Sequence, residues 1–587
     1  MSKDLVAYQV VRFLESRGVE CVFGLCGHTV IAMLDALEKS EKVKFVMTRH
    51  EQIAAHAADG YARASGKVGV VLSHLGPGLT NATTGVAEAG LDSIPLVVIA
   101  GDVPTYYFGR HPHQEVNLHA DASQYEIYRP FVKRAFRVDL PELMADVLDR
   151  AFRLAVSGRP GPVLVSVPMD VFSSYVDISL FDRRMEGSFS PRRPSLPWDL
   201  AEEIVDLLAT EERPVIYAGG GVISSGAAQL LRELVEHLQV PVLYTLMGKG
   251  AIPDDHPLAV GMTGFWGTPF VNEMAREATT ILALGTRMSE ADCSSWYRDV
   301  TFNIPPSKLV HIDIEPQEIG RNYPTHIGAV SDVKEALALM LKVAREKYPS
   351  GVRRPQVVES IASHKREFAK RNRHLVTSDA YPMRPERILA EVREVLPRDG
   401  YIVTDVGWNK NGVGQQFPIY EPGTFVTPGG LATMGFGPAA ALGVAIARPD
   451  RKVLALVGDG AMGANPSVVA TAVQYKLPVV WVVMNNCAFG TIAGLQTSHY
   501  GTDYGTVFRV DGKPYSPDFA ALAEAYGARG IRVERASDFK GALEKALASG
   551  DPCVVDVFME NAPVPTGGCW NINDIYTRRG EEKPRKF

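Results

Sequence analysis

What most constrains this chain is a pattern met three times over: short apolar runs of strand length that alternate with helical stretches. Up to about residue 175 the runs are VECVFG, VKFVMT, VGVVLS, PLVVIAG and GPVLVSVP. Strands alternating with helices predict a parallel sheet covered by helices on both faces. A Pro/Arg/Ser-rich piece, SFSPRRPSLPW at 188–198, interrupts the pattern, which resumes with RPVIYAGGG, VPVLYTL, TTILALG and KLVHIDI. A charged helical link over 355–380 precedes a third cycle: YIVTDVG, KVLALVGDG, LPVVWVVMNN, ARGIRV and PCVVDVF. The thirds share architecture without any sequence repeat. With 587 residues, too many for one core, the expected fold class is α/β with three doubly wound parallel-sheet domains. Their expected bounds are 1–180, 190–345 and 380–560, followed by a Gly/Pro-rich, then basic tail over 561–587 that reads as a surface tail or an active-site cover.

Composition narrows the partners. The net charge is −6 and the basic residues are scattered, so neither a nucleic-acid footprint nor a polybasic membrane surface is expected. The longest apolar runs are strand-length, and the N-terminal MSKDLVAYQVVRFLES reads as an amphipathic helix and not as a signal peptide. A cytoplasmic protein acting on a small molecule is the expectation. The six cysteines, at 21, 26, 293, 487, 553 and 569, show no metal-ligand spacing and are read as free, mostly buried thiols.

The most specific motif is Gly458-Asp459-Gly460 at the end of an apolar run, followed after 24 residues by Asn485-Asn486 at the end of the next run. Strand-end loops of an open α/β sheet are where ligands bind. A lone Gly-Asp-Gly is an ordinary turn. The pair at this spacing offers more. Asp459 brings a hard carboxylate, Asn486 an amide oxygen and Ala488 a backbone carbonyl, the oxygen set that a magnesium-borne diphosphate requires. Gly460 and Ala461 leave room for phosphate at the start of the next helix.

This spacing resembles the signature of thiamine diphosphate (ThDP) enzymes of the acetolactate-synthase-like group. The resemblance extends along nearly the whole chain, with the three domains taken as pyrimidine-binding, central and diphosphate-binding. It implies ThDP and Mg2+ as cofactors and C–C bond cleavage or formation next to a ketone. Asp459, Asn486 and Ala488 become the metal ligands, with Gly458, Gly460, Ala461 and Asn409 beside the diphosphate. In GGLATMGFGPAAALG, Met434 falls where the family props the cofactor in a bent form, and the carbonyl of Ala432 where it orients the aminopyrimidine amine. TRHEQIAAHAADGYARASGKVGV matches the segment of the activating glutamate, which lands on Glu51. A carboxyl there exchanges a proton with the pyrimidine ring nitrogen; read without the resemblance, Glu51 is a helix-start residue paired with Arg49 or stabilising the first turn. His113-Gln114-Glu115 resembles the family's Phe-Gln-Glu and turns Gln114 toward the cofactor. His28 and His74 are expected as acid–base groups or as holders of a substrate carboxylate.

Departures from the family pattern bear on the substrate. Leu495 stands where acetolactate synthases carry an acceptor-site tryptophan, and Ser289-Glu290-Ala291 replaces their Asp-Asp-Arg. The central pieces GGG at 219–221, GMTGFWGTP, LGTRMS and VHIDIEP resemble FAD-holding segments, with Asp313 at a strand end suited to a ribose hydroxyl. FAD, another ADP-containing ligand and no ligand are all left open. The resemblance implies a homodimer or homotetramer, because Glu51 and Asp459 come from different subunits in this family. The leading expectation is decarboxylation of a pyruvate-like 2-oxoacid and ligation to an acceptor. The alternative is a lyase acting on a 2-hydroxyacyl-CoA or a 1,2-diketone.

Overall fold

A computed structural model describes residues 2–186 and 192–568. Three six-stranded sheets, every strand pair parallel, form the frame. The N-terminal sheet runs Lys44–Met47, Cys21–Gly24, Gly69–Ser73, Leu96–Asp102, Val163–Pro168, Arg134–Arg137. The C-terminal sheet runs Phe425–Val426, Tyr401–Thr404, Val453–Gly458, Val479–Asn485, Cys553–Phe558, Arg529–Val533. Numbered by their place in the chain, both follow the order 2-1-3-4-6-5. The central sheet runs Ala259–Met262, Val242–Tyr244, Pro214–Ala218, Thr280–Leu284, Lys308–Asp313, Ile327–Val330, which is the order 3-2-1-4-5-6 of dinucleotide-binding sheets.

The central strands are continuous apolar runs because helices cover both faces, so no residue of Val479–Asn485 or Leu96–Asp102 is left outside the core. The strands that sequence reading passed over, Arg134–Arg137, Ala259–Met262, Ile327–Val330 and Phe425–Val426, lie at or beside sheet edges and are short. An edge strand needs less apolar surface, and so leaves a weaker signal. The first residues also differ from expectation. Lys3–Leu5 pairs antiparallel with Tyr175–Asp177, and the amphipathic helix begins only at Val6.

The outer units meet through two alanine-rich helices, Glu51–Ser65 and Phe436–Ala447. A Cβ at Gly443 would stand 1.8 Å from the Ala57 carbonyl oxygen, and one at Gly60 2.2 Å from that of Ala440, so the backbones cross in contact and only glycine fits either position. Residues 561–568 run from the C-terminal unit, where Trp408 Nε1 donates to the Ala562 carbonyl and Gln415 Nε2 to that of Pro565 at 2.8 Å, to the central unit, where the Gly568 amide donates to the Phe265 carbonyl at 3.3 Å. The remainder of the expected tail, with Cys569, and residues 187–191 of the expected linker lie outside the described residues. Cys21, Cys293, Cys487 and Cys553 are buried free thiols, whereas Cys26 is exposed. Among the described residues no helix is long and apolar enough to cross a membrane.

Candidate functional site

In a doubly wound sheet the strand order reverses at one point, and the loops leaving the two strands there diverge to open a crevice. In the C-terminal sheet this point lies between Tyr401–Thr404 and Val453–Gly458. The loops that diverge there hold Asp405–Asn409 and Gly458–Ala461. In the N-terminal sheet it lies between Cys21–Gly24 and Gly69–Ser73, whose following loops hold His28 and His74. The motifs picked out by their spacing and by the family resemblance therefore stand at the two crevices.

At the C-terminal crevice Asp459 opens the short helix Asp459–Ala464 and is 4% exposed. Its Oδ1 accepts from the Gly460 amide at 2.9 Å, while Oδ2 is buried with no hydrogen-bond partner among the described residues. Burial pushes this carboxyl up to about 6, against the pull of the Gly460, Ala488 and Cys487 amides. An anionic oxygen buried without a donor is costly unless a cation meets it. Asn486 donates through Nδ2 to Asn561 Oδ1 at 3.1 Å, which leaves its own carbonyl oxygen uncommitted by that bond. Its neighbour Asn485 is spent on structure, donating to Asp556 Oδ1 at 3.1 Å. Cys487 is left-handed, with φ 55°, and turns the chain between Asn486 and the buried Ala488. Among the described residues no three His, Cys, Asp or Glu side chains converge on a metal position. A cation held here takes one carboxylate and neutral oxygens, which suits a hard ion that arrives with phosphate oxygens of its own.

Asn409 is brought next to this set: a Cβ on Gly458 would stand 3.7 Å from its Nδ2. The side chain is already engaged by its own loop, accepting from the Asp405 amide at 3.0 Å and donating to the Val406 carbonyl at 3.2 Å. Asp405, which sequence reading did not single out, is fully buried, and burial pushes it up to about 6. Its Oδ2 accepts from the amides of Gly435 at 2.9 Å and Gly437 at 2.8 Å. That joins the diphosphate-side loop to the segment carrying Ala432 and Met434. Ala432 is left-handed, with φ 55°, and Met434 is 44% exposed, too open to be the plain core residue its hydrophobicity alone would suggest.

In the N-terminal unit Glu51 begins its helix and is 5% exposed. Asn81 Nδ2 donates to its Oε2 at 3.0 Å. Arg49, its expected pairing partner, instead donates to Gln474 Oε1 at 2.8 Å. His74 is buried with both ring nitrogens engaged, Nδ1 2.7 Å from Thr29 Oγ1 and Nε2 2.8 Å from Gln114 Oε1. The Gln114 oxygen is acceptor-only, so Nε2 carries the proton and the Thr29 hydroxyl donates to Nδ1. The exposed His28 ring lies 4.6 Å from that of His74 and 6.2 Å from that of His113, centroid to centroid. Partial burial and these two rings lower its basicity, which favours neutral imidazole. Gln114 is left-handed at φ 65° and packs its carbonyl against Gly76, where a Cβ would stand 1.9 Å away.

At the central switch point, Gly219–Gly221 meets Gly285: the Gly221 amide donates to the Gly285 carbonyl at 3.0 Å. Burial pushes Asp313 up to about 6, although its Oδ1 accepts from the Glu315 amide at 2.9 Å. Leu495 is half-buried on the helix Gly490–Tyr500, whose Ile492 and Tyr500 are exposed.

Three family models match the chain: "Thiamine pyrophosphate enzyme, N-terminal TPP binding domain" over 5–123, "central domain" over 201–340 and "C-terminal TPP binding domain" over 405–557. A protein of Methanocaldococcus jannaschii named probable acetolactate synthase large subunit is 36% identical, over 96% of this chain and 94% of its own length. The acetolactate synthase isozyme 3 large subunit of Escherichia coli is also 36% identical, over 92% of each chain. The acetolactate synthase large subunit of Parasynechococcus marenigrum is 35% identical, over 93% of this chain and 86% of its own.

Proposed function

The chain belongs to the thiamine pyrophosphate enzyme family, as an acetolactate-synthase-like ThDP-dependent enzyme, and from that premise we propose that it decarboxylates a pyruvate-like 2-oxoacid and ligates the remaining fragment to an acceptor carbonyl. The observation that carries this reading is the buried Oδ2 of Asp459 at the C-terminal crevice, without a hydrogen-bond partner among the described residues. Asp459, the Asn486 amide oxygen and the Ala488 carbonyl would hold Mg2+. Gly458, Gly460, Ala461 and the loop locked by Asn409 would receive the diphosphate. When bound, ThDP supplies an acidic C2 carbon that adds to a carbonyl and then accepts the electron pair released with CO2.

The protein's part is to bind, orient and move protons. Glu51, held by Asn81, exchanges a proton with the pyrimidine ring nitrogen. The Ala432 carbonyl would orient the aminopyrimidine amine, and Met434 would pack against the cofactor. Gln114, its oxygen held by His74 Nε2, keeps its side-chain N–H groups to donate to the substrate oxygen. Glu51 and Asp459 lie in different units, and the family resemblance, which draws them from two subunits, supports a homodimer or homotetramer as the active form; the exposed apolar Leu118 and Ile31, 88% and 61% accessible, give it surface to cover. The strand order 3-2-1-4-5-6 supports an ADP-containing ligand, FAD among them, at the central switch point.

The adjacent His28 and His74 rings favour a second reading, a lyase acting on a 2-hydroxyacyl-CoA or a 1,2-diketone, in which the exposed imidazole exchanges a proton with the substrate hydroxyl. One experiment separates the two. With ThDP and Mg2+ present, a panel of 2-oxoacids is scored for CO2 release and for ligation products with added acceptors. The proposal expects both. Cleavage of a hydroxyacyl-CoA or a diketone with no CO2 from any 2-oxoacid would replace it with the second reading.

A further inference from the structure

The segment 429–434 joins the strand Phe425–Val426 to the helix Phe436–Ala447, yet its amides are not satisfied within its own unit. Asp92 Oδ1 accepts from the Gly430 amide at 2.6 Å and Oδ2 from that of Gly429 at 2.8 Å. One turn earlier on the same helix, Glu88 Oε2 accepts from the Thr433 amide at 2.9 Å. Both carboxyl groups come from Pro77–Asp92, in the N-terminal unit. Arg63 completes the clamp, donating to Asp92 Oδ2 at 2.8 Å and to the Thr427 carbonyl at 2.9 Å. On the other side Lys410 Nζ donates to the Pro428 carbonyl at 3.4 Å.

We propose that Glu88 and Asp92 are positioning residues: reaching across from the N-terminal unit, they set the conformation of 429–434 and thereby aim the Ala432 carbonyl and the Met434 side chain. The inference rests on the reading that these two face ThDP. Ala432 is left-handed at φ 55°, a conformation an alanine holds only when its surroundings over-determine it. Hydrogen bonds to the amides on either side of it, charge-assisted where Asp92 accepts, supply that constraint. The two carboxyl groups differ in charge. Burial works against ionising Asp92, but Arg63 and the Gly430 and Gly429 amides draw it down. Burial, followed by the neighbouring Asp92, pushes Glu88 up. Glu88 is fully buried and its Oε1 has no partner among the described residues, so what it gives the turn is an acceptor and not a charge.

Glutamine at 88 keeps that acceptor and alanine removes it. In the chain free of cofactor, Glu88→Ala is expected to speed hydrogen–deuterium exchange of the Thr433 amide by about tenfold, the equivalent of one lost hydrogen bond. ThDP affinity in Mg2+, measured by calorimetry, is expected to weaken by about the same factor, with KM for the 2-oxoacid unchanged. Glu88→Gln should restore both. If Glu88→Ala does not fold, Asp92→Asn gives the same reading at one of the Gly429 and Gly430 amides, since its side-chain nitrogen cannot accept. Unchanged exchange over 429–434 overturns the positioning role whatever the turn faces. Faster exchange with undiminished ThDP affinity overturns it by showing that the turn does not face the cofactor.

Discussion

Asn81 holds Glu51 by one carboxylate oxygen, at 3.0 Å, and so ties the start of the helix Glu51–Ser65 to the helix that follows the His74 loop. Glutamine at 51 keeps the size and can keep that bond, but has no proton to exchange. Near-native thermal stability is expected, with C2 hydrogen–deuterium exchange of bound ThDP slowed by roughly 10²–10⁴-fold before any substrate is added. Exchange as fast as in the parent, at equal ThDP occupancy, would remove Glu51 from the chemistry.

Replacing Asp459 with alanine deletes the buried oxygen that lacks a donor. ThDP affinity in Mg2+ should fall by at least about 10–100-fold, the loss seen even for residues one step removed from a metal. The melting temperature of the cofactor-free chain should hold or rise, because an uncompensated buried charge has gone. Calorimetry and a thermal melt read the two effects separately, and unchanged ThDP binding would count decisively against this metal site.

On the proposed reading, Leu495 stands where the family resemblance expects an aromatic acceptor wall and offers a smaller face. Losing a packing face of that size should cost about 1–3 kcal/mol of discrimination between acceptors. Pyruvate as both donor and acceptor is therefore expected to turn over more slowly than the best pair in a screen. Equal rates would show that this position does not select the acceptor.

Asp102 gives a pH signature independent of the cofactor. It is buried, accepts from the Val103 amide at 2.8 Å and from Ser166 Oγ at 2.9 Å, and burial pushes it up to about 6. A carboxyl raised on folding binds its proton more tightly in the native state, so its contribution is complete below the unfolded value near 4 and is lost as pH rises through about 6. Asp102→Asn keeps the Val103 bond through its one oxygen, meets Ser166 Oγ with a donor in place of an acceptor, and cannot titrate. Its melting temperature should vary less between pH 4 and 6 than that of the parent; identical profiles would assign the ionisation elsewhere.

From the sequence alone came the three α/β units and the pairing of Gly458-Asp459-Gly460 with Asn485-Asn486. Both are written locally: a strand buried on two faces must be apolar along its length, and a metal-bound diphosphate needs a fixed oxygen set at adjacent strand ends. Only the tertiary structure decided the rest. The switch points depend on strand order, which no local run encodes, and they place His28 beside His74 and Asn409 beside Gly458. Asp405, Glu88 and Asp92 escaped notice for the same reason. An isolated carboxylate has no period of its own, and its partners, the amides of 429, 430, 433, 435 and 437, lie 30 or more positions away in the chain, so their pairing exists only once the chain has folded.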